Sequence, residues 1–289
     1  MLDSAQDFAH HRQMASGAVK KGQTKRLVFA LAWQGSSEPM GERFGELTTW
    51  LSARTGLAIA PRMALSYVEL ERMARSGQAH LAWLPPLVYL RLEKERQVVH
   101  LVKSERAGHA TFHAAMIVRS DSPIRSLEML RGSRAAWVDR WSASGYVIPR
   151  ATLAGRGLAP RDLFREERFY GSHEAVVGAV LSGRANIGGT YAQLTEQGRL
   201  LRGSWSGIHG GEAGIRVLMT VGSIPGDVVA AHTALDENER SVITKALLSV
   251  PKDAQMAQTM RRIFGAEGFR DGPLTGYDAL RGAIEDDTK

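Results

Sequence analysis

The feature that most constrains the fold of this chain is a repeated alternation of short apolar runs with segments of helical spacing. Residues 26–33 (RLVFALAW) form an apolar run bounded by polar residues, as expected of a buried strand. Between 42 and 55, Phe44 and Leu47 begin a helical apolar spacing, and Gly56 stands where a glycine ends a helix. Strand, loop and helix together predict one unit of a sheet that is covered by helices.

The alternation continues along the chain and then restarts. The next predicted elements are a strand at 57–63, a helix at 67–75 and a strand at 79–84. A second series opens with an apolar run at 111–119. Its predicted helices and strands lie at 124–130, 134–138, 144–154, 168–170, 174–182, 186–189 and 214–221, and mainly helices follow from 236.

Two such series predict an α/β protein with two lobes, whose sheets are mixed and mostly parallel and are joined by a β-strand hinge. A polar N-terminal tail is predicted at 1–24. Lobe 1 is predicted to comprise 25–112 and 223–289, and lobe 2 to comprise 113–222. Because no Pro-rich or Gly-rich linker separates the two series, the lobes are expected to move about a hinge rather than on a flexible tether.

The composition of the chain excludes some classes of site and disfavours some classes of partner. The 289 residues include no cysteine, which excludes disulfides, thiolate metal sites and cysteine nucleophiles. The net charge of +7 suits an anionic ligand or a nucleic acid. However, the basic residues are spread along the chain without the interleaved aromatics of a single-strand platform, so nucleic acid is not an expected partner. No run reaches the ~18 apolar residues of a membrane span, and residues 1–24 lack the apolar core of a secretory signal.

One stretch has the form of an anion-binding turn. In AWVDRWSASGYVIP (136–149), a predicted strand ends and the turn Ser142-Ala143-Ser144-Gly145 leads into a predicted helix. The first N–H groups of a helix are unpaired and carry partial positive charge, and the serine hydroxyls add donors. The alternative is that Ser142 or Ser144 serves only as a helix N-cap, which is a common role.

A second stretch, FYGSHEAVVGAVLSGRA (169–185), places His173 between a predicted strand and a predicted helix. Open α/β sheets bind ligands at the carboxyl ends of their strands, where this histidine is expected to lie. His173 is therefore a candidate donor to an oxyanion. The alternative is a capping or structural histidine.

These stretches together resemble the substrate-binding proteins of phosphate, phosphite and phosphonate uptake systems. The resemblance extends to MIVRSDSPIRSLEMLRG, GQAHLAWLPPLVY and IRVLMTVGSIPGDVV, in the family's order, and covers about residues 26–269. It implies a bilobed fold of the type II periplasmic-binding-protein kind, with a small phosphorus oxyanion held in the interlobe cleft for uptake by an ABC transporter. The implied partners are the oxyanion and the transporter permease, with a monomer in the periplasm and no catalytic residue, cofactor or metal.

The resemblance also implies the ligand-binding residues. The family's Ser-Thr-Ser turn falls on Ser142, Ala143 and Ser144, so the middle hydroxyl is missing, and Gly145 completes the turn. The family's histidine falls on His173, and the tyrosine that begins the second helix falls on Tyr67.

Other positions depart from the family pattern. Leu84 stands where a tyrosine is frequent, and Gln193 where phosphonate binders carry a carboxylate for a ligand amine. Although Asp227 is present on the returning segment, the replacement of that carboxylate by Gln193 argues against an aminoalkylphosphonate and favours a smaller or different anion. From the loop after the first strand, Trp33, Ser36 and Ser37 are candidates to line the cleft, whereas Trp83 is expected in the core.

Three other functions stay open at the level of sequence. The fold is also compatible with a cytoplasmic or signalling ligand-sensing module, with a binding protein for another small anion, or with a decayed pocket. An enzyme is disfavoured because the chain has no GxSxG elbow, P-loop or HExxH motif.

Overall fold

The computed structural model describes residues 26–32, 38–106, 111–272, 276–277 and 280–281. The strands are β1 (Arg26–Ala32), β2 (Ala58–Ala64), β3 (Leu81–Leu84), β4 (Val98–Glu105), β5 (Thr111–Arg119), β6 (Ser133–Trp137), β7 (Phe164–Phe169), β8 (Ile187–Leu194), β9 (Leu200–Gly203), β10 (Ile215–Pro225), β11 (Val228–His232) and β12 (Gly268–Arg270). The helices are α1 (Glu38–Thr55), α2 (Tyr67–Arg75), α3 (Pro86–Lys94), α4 (Ile148–Gly155), α5 (Pro160–Leu163), α6 (His173–Leu181), α7 (Gly211–Gly214), α8 (Glu237–Leu248) and α9 (Ala254–Phe264). A π-helical turn lies at Ala143–Val147, and 3-10 turns lie at Glu128–Leu130 and Val250–Lys252.

The described strands form two sheets. The first has the order β12-β4-β11-β3-β1-β2, and the second has the order β10-β5-β8-β6-β7 with β9 paired to β8. We call the first sheet with α1–α3, α8 and α9 lobe 1, and the second sheet with α4–α7 lobe 2. The mixed α/β fold expected from the sequence is confirmed.

The chain passes between the lobes twice, from β4 to β5 and from β10 to β11. The strands on either side of these passages pair antiparallel within each lobe: β4 pairs with β11 in lobe 1, and β5 pairs with β10 in lobe 2. Of the ten pairings among the described strands, four are parallel and six antiparallel. The expectation of mostly parallel sheets was therefore wrong, since βα repetition does not reveal the strands that cross over.

The predicted lobe boundaries stay a prediction. They fall inside β5 and β10, the lobe 2 strands next to the two passages. The predicted tail at 1–24 and the loop residues Trp33, Ser36 and Ser37 lie outside the described residues.

Each sheet is buried on both faces. In β3, Leu81 and Trp83 pack on one side with the core under α1, α8 and α9, whereas Ala82 and Leu84 pack on the other side with α2 and α3. Successive side chains of a strand point to opposite faces of the sheet. Because both faces are covered by a core here, the sequence of the strand is continuously apolar. Lobe 2 is built in the same way, with two clusters on opposite faces of its sheet.

Several element bounds differ from the sequence expectations. The helix predicted at 144–154 is a π-helical turn followed by α4, and the strand predicted at 168–170 is the longer β7. Strands β4, β9, β11 and β12 were not predicted, because their apolar runs are short or interrupted by charge. Among the described helices, none is both long enough and apolar enough to cross a bilayer.

Candidate functional site

A cleft of about 470 Å³ lies between the two lobes. Lobe 1 lines it with Tyr67, Trp83 and the end of α9, and lobe 2 lines it with residues 171–174, 203–204 and 206–208. Pockets of this size, ~300–1,000 Å³, are typical of small-molecule sites. The cleft is therefore the candidate ligand site.

The floor of the cleft holds an ion pair between the two interlobe passages. Arg106 directly follows β4 and Asp227 directly precedes β11. Arg106 Nη2 donates to Asp227 Oδ2 at 2.7 Å, and the indole Nε1 of Trp83 donates to the same oxygen at 3.1 Å. The side chains of Arg106 and Asp227 are only 11 % and 14 % exposed, so this is a largely desolvated pair. The neighbouring Asp227 carboxylate raises the pKa of Arg106 against the opposing effect of burial.

His173 begins α6 and faces the cleft. Ser172 caps this helix by accepting from Ala175 N, which fixes where the histidine emerges. The His173 Nδ1 lies 2.9 Å from Thr190 Oγ1, and its ring contacts the Tyr191 ring edge-on with centroids 4.9 Å apart. Burial lowers the pKa of His173 to about 4, with Asp227 opposing and Arg106 adding to that shift. The imidazole is therefore neutral near pH 7 and ready to gain charge when an anion approaches.

Tyr67 begins α2 and also lines the cleft. Its helix is capped by Ser66, which accepts from Glu69 N at 3.0 Å. Burial raises the pKa of the Tyr67 phenol, and the carboxylates of Asp227 and Asp139 raise it further. Tyr67 therefore stays a protonated phenol that can donate to a ligand.

The cleft is strongly basic. Among the described residues, those lining it include five arginines but only two carboxylates, Asp227 and Glu174. The arginines are Arg43, Arg106, Arg202, Arg261 and Arg262. Such an excess of positive charge in a concave site attracts anions.

The lobes touch each other beside the cleft. The backbone N–H of Tyr67 donates to Asp139 Oδ2 at 3.4 Å, and the Arg91 guanidinium lies 4.1 Å from the ring centroid of Trp141. Elsewhere Arg202 Nη2 donates to Gly265 O at 3.0 Å. The cleft volume is therefore that of a conformation in which the lobes are already in contact.

The serine turn lies next to this contact but does not line the cleft. Ser142, Ala143 and Ser144 are each at most 3 % exposed, and Ser142 Oγ accepts from Gly145 N at 3.0 Å. Ala143 packs into a hydrophobic cluster that side chains of both lobes form. A Cβ on Gly145 would lie 2.4 Å from Val138 Cγ2, so internal packing already requires this glycine. The role of the turn in anion binding stays a prediction.

Gln193 also lies outside the cleft lining and makes protein contacts. Its Nε2 donates to Arg106 O at 3.1 Å, and its Oε1 accepts from Arg202 Nε. Gln193 thus positions the two arginines. Trp83 is 3 % exposed, as expected of a core residue, yet one edge of it reaches the cleft. Leu84, by contrast, is fully buried.

Sequence reasoning placed Tyr67, His173 and Asp227 in the cleft lining, where the structure has them, but missed the arginines. Arg106 follows a strand, β4, that had not been predicted, so nothing marked it as standing at a strand's carboxyl end. Arg261 and Arg262 lie on an amphipathic helix far along the chain. Within the described ranges, no cluster of His, Asp or Glu side chains is arranged to hold a metal ion.

Two α/β lobes that are connected by paired strand passages and enclose a basic cleft define a hinged solute-binding protein. The chain belongs to the family described as ABC transporter, phosphonate, periplasmic substrate-binding protein, whose profile matches residues 29–274. Members of this family capture a solute for ABC-transporter uptake, and this chain is such a solute-binding protein.

Solved structures show the same fold at low sequence identity. A binding protein component of an ABC phosphonate transporter (PA3383) from Pseudomonas aeruginosa is 17 % identical, with a TM-score of 0.79 and coverage of 92 % of this chain and 87 % of that chain. PhnD1 from Prochlorococcus marinus, in complex with methylphosphonate, is 17 % identical, with a TM-score of 0.78 and coverage of 92 % and 100 %. XAC2383 from Xanthomonas citri, bound to ATP, is 21 % identical, with a TM-score of 0.68 and coverage of 90 % and 97 %.

Proposed function

We propose that this protein captures an organic phosphorus oxyanion, a phosphonate or a phosphate monoester, in the interlobe cleft. The observation that carries the proposal is the charge of the cleft lining, in which five arginines face only two carboxylates. Guanidinium groups match the geometry of phosphonate and phosphate oxygens and bind them through charge-assisted hydrogen bonds.

The proposed binding groups come from both lobes. Arg106 and the Tyr67 phenol would contact the anion from the lobe 1 side, and His173 would contact it from the lobe 2 side. The remaining arginines lie at positions where they attract the anion before it reaches the floor. Because the ligand would bridge the lobes, its binding stabilises the closed arrangement.

The size of the cleft supports an organic substituent. A volume of about 470 Å³ with the lobes in contact exceeds what an inorganic oxyanion fills. Apolar side chains, including Met40 and Phe112, line part of it and suit a hydrocarbon portion. PhnD1 and XAC2383 were solved with methylphosphonate and with ATP, two phosphorus oxyanions of very different size, which supports the shared chemistry rather than one ligand.

We propose further that the captured ligand passes to an ABC permease, that the protein acts as a monomer in the periplasm, and that it performs no catalysis. The family membership supports the permease as partner and the periplasm as compartment. Fractionation of cells that express the complete gene tests the compartment, and recovery of the protein with the cytosol would contradict it.

The test of the binding proposal is isothermal titration calorimetry with phosphate, phosphite, methylphosphonate, propylphosphonate, a phosphate monoester and sulfate. We expect saturable binding of the organic phosphorus anions and weaker binding of sulfate. A ligand present at one hundred times its dissociation constant should also stabilise the fold by about 2.7 kcal/mol in denaturation experiments.

The variants Arg43→Gln and Arg131→Gln form a matched pair that locates the site. Each removes one positive charge, but Arg43 lines the cleft whereas Arg131 is an exposed residue of lobe 2 outside it. We expect weaker anion binding in Arg43→Gln and unchanged binding in Arg131→Gln. Equal effects of both variants would show that net charge, not the cleft, carries the binding.

A further inference from the structure

The two carboxylates that line the cleft, Asp227 and Glu174, each interact electrostatically with an arginine of the same chain. Asp227 is ion-paired with Arg106 at 2.7 Å. Burial raises the pKa of Glu174, and the positive charge of Arg43 opposes that rise. The Asp227 carboxylate therefore offers a ligand no uncompensated negative charge.

The Arg106–Asp227 pair is fixed from several sides. Arg106 Nε donates to Phe264 O at 3.2 Å, and the Arg106 guanidinium lies 5.2 Å from the ring centroid of Phe112. Asp227 Oδ2 also accepts from Trp83 Nε1. A side chain held by several such contacts does not swing away when a ligand enters.

This arrangement has a consequence for ligands that carry an ammonium group. An ammonium that reached Asp227 would share the carboxylate with the Arg106 guanidinium, and the two positive charges would repel each other at low effective dielectric. An uncharged alkyl group of the same size meets no such repulsion. Arg106 is thus already the cation that is paired with Asp227, in the place that a ligand ammonium would otherwise take.

We propose that the Arg106–Asp227 ion pair is the specificity determinant that makes this cleft select phosphorus anions with uncharged organic groups over zwitterionic aminoalkyl phosphonates. The inference rests on the proposed function, because it concerns the organic part of a ligand whose anionic part binds in the same cleft. Its preferred ligand class is an alkyl phosphonate or an ester that carries no amine.

The experiment compares two ligands of nearly equal size, propylphosphonate and 2-aminoethylphosphonate, by calorimetry at pH 7.5. For the wild-type protein we expect propylphosphonate to bind at least about tenfold more tightly. In Arg106→Gln, Asp227 is left without its cation, and we expect the order to reverse in favour of 2-aminoethylphosphonate.

Asp227→Asn supplies an independent readout, because it changes the other partner of the pair. It frees the Arg106 charge, so we expect it to bind propylphosphonate more tightly and to bind 2-aminoethylphosphonate even less well relative to it. The double variant Arg106→Gln/Asp227→Asn removes both charges and should bring the affinity ratio of the two ligands close to one. A purely structural role of the pair would lower both affinities together and leave their ratio unchanged.

The outcomes separate this inference from the proposed function. Equal wild-type affinities for the two ligands, or a ratio that none of the three variants changes, would overturn the inference while the proposed function stands. Failure of the wild-type protein to bind any phosphonate or phosphate monoester would overturn the proposed function and this inference with it.

Discussion

The neutral His173 makes a quantitative prediction about stability and pH. Its pKa is lowered from 6.5 to about 4, first because burial disfavours the charged imidazole. The unfolded chain therefore binds a proton at this residue that the folded chain does not bind between these two values. The stabilisation is fully present above pH 6.5 and is lost as the pH falls towards 4.

The magnitude follows from the two pKa values. Between pH 7 and pH 5 this single group should reduce the free energy of unfolding by about 2 kcal/mol. We expect the variant His173→Asn to lack this component, because asparagine does not titrate and can still hydrogen-bond to Thr190. The other histidines whose pKa values are lowered by burial, His100 and His113, are present in both proteins and cancel in the comparison.

The assay is denaturant unfolding of the unliganded wild-type, His173→Asn and His209→Asn proteins at pH 7 and pH 5. His209 is an exposed histidine outside the cleft lining, so His209→Asn should behave like the wild-type protein. The reasoning is refuted if wild-type and His173→Asn proteins lose the same stability between the two pH values. Such a result would mean that His173 is already solvated or protonated in the folded chain.

Three further outcomes are expected. Ser142→Ala should lower the free energy of unfolding by about 1 kcal/mol through loss of the cap to Gly145 N, and, because the turn is predicted to hold the anion, it should also weaken ligand binding in calorimetry; unchanged affinity would show that Ser142 is only a helix cap. Ala143→Thr should destabilise the protein by about 1–3 kcal/mol in denaturant unfolding, because a hydroxyl and a methyl enter a packed interlobe cluster; unchanged stability would show that the cluster opens. The double variant Arg261→Gln/Arg262→Gln should slow ligand association and weaken its salt dependence in stopped-flow measurements, and an unchanged association rate would exclude steering by these arginines.

Local sequence patterns predicted many of the individual helices and strands. The helix predicted at 67–75 matches α2 at both ends, because Ser66 supplies a cap and Gly77 follows with a positive φ of 75°. The strand predicted at 79–84 contains β3, whose side chains are buried on both faces of the sheet. Such signals act within one turn or one strand, where a single sequence is informative.

Local patterns could not predict contacts between residues that are far apart in the chain. The short strand β12, Gly268–Arg270, owes its existence to pairing with β4, more than 150 residues earlier in the chain. The same limit explains the missed ion pair. Arg106 and Asp227 lie 121 residues apart and meet only because both interlobe passages cross at the cleft floor.

The serine turn illustrates a different limit. A Ser-x-Ser-Gly sequence after a strand is compatible with an anion site and with a packed, self-capped turn, because both need small residues and a hydroxyl at the helix start. Which of the two applies depends on what faces the turn. In this structure Ala143 packs into an interlobe hydrophobic cluster and other residues line the cleft, so the binding role of the turn stays a prediction that the Ser142→Ala variant tests.

The most direct test of the central claim is a calorimetric titration of propylphosphonate into the wild-type protein, with Arg106→Gln/His173→Asn measured in parallel. We expect saturable one-to-one binding to the wild-type protein and at least about a hundredfold weaker binding to the double variant, since two charge-assisted contacts are lost. Wild-type affinity in the double variant, or no binding to either protein, would contradict that claim.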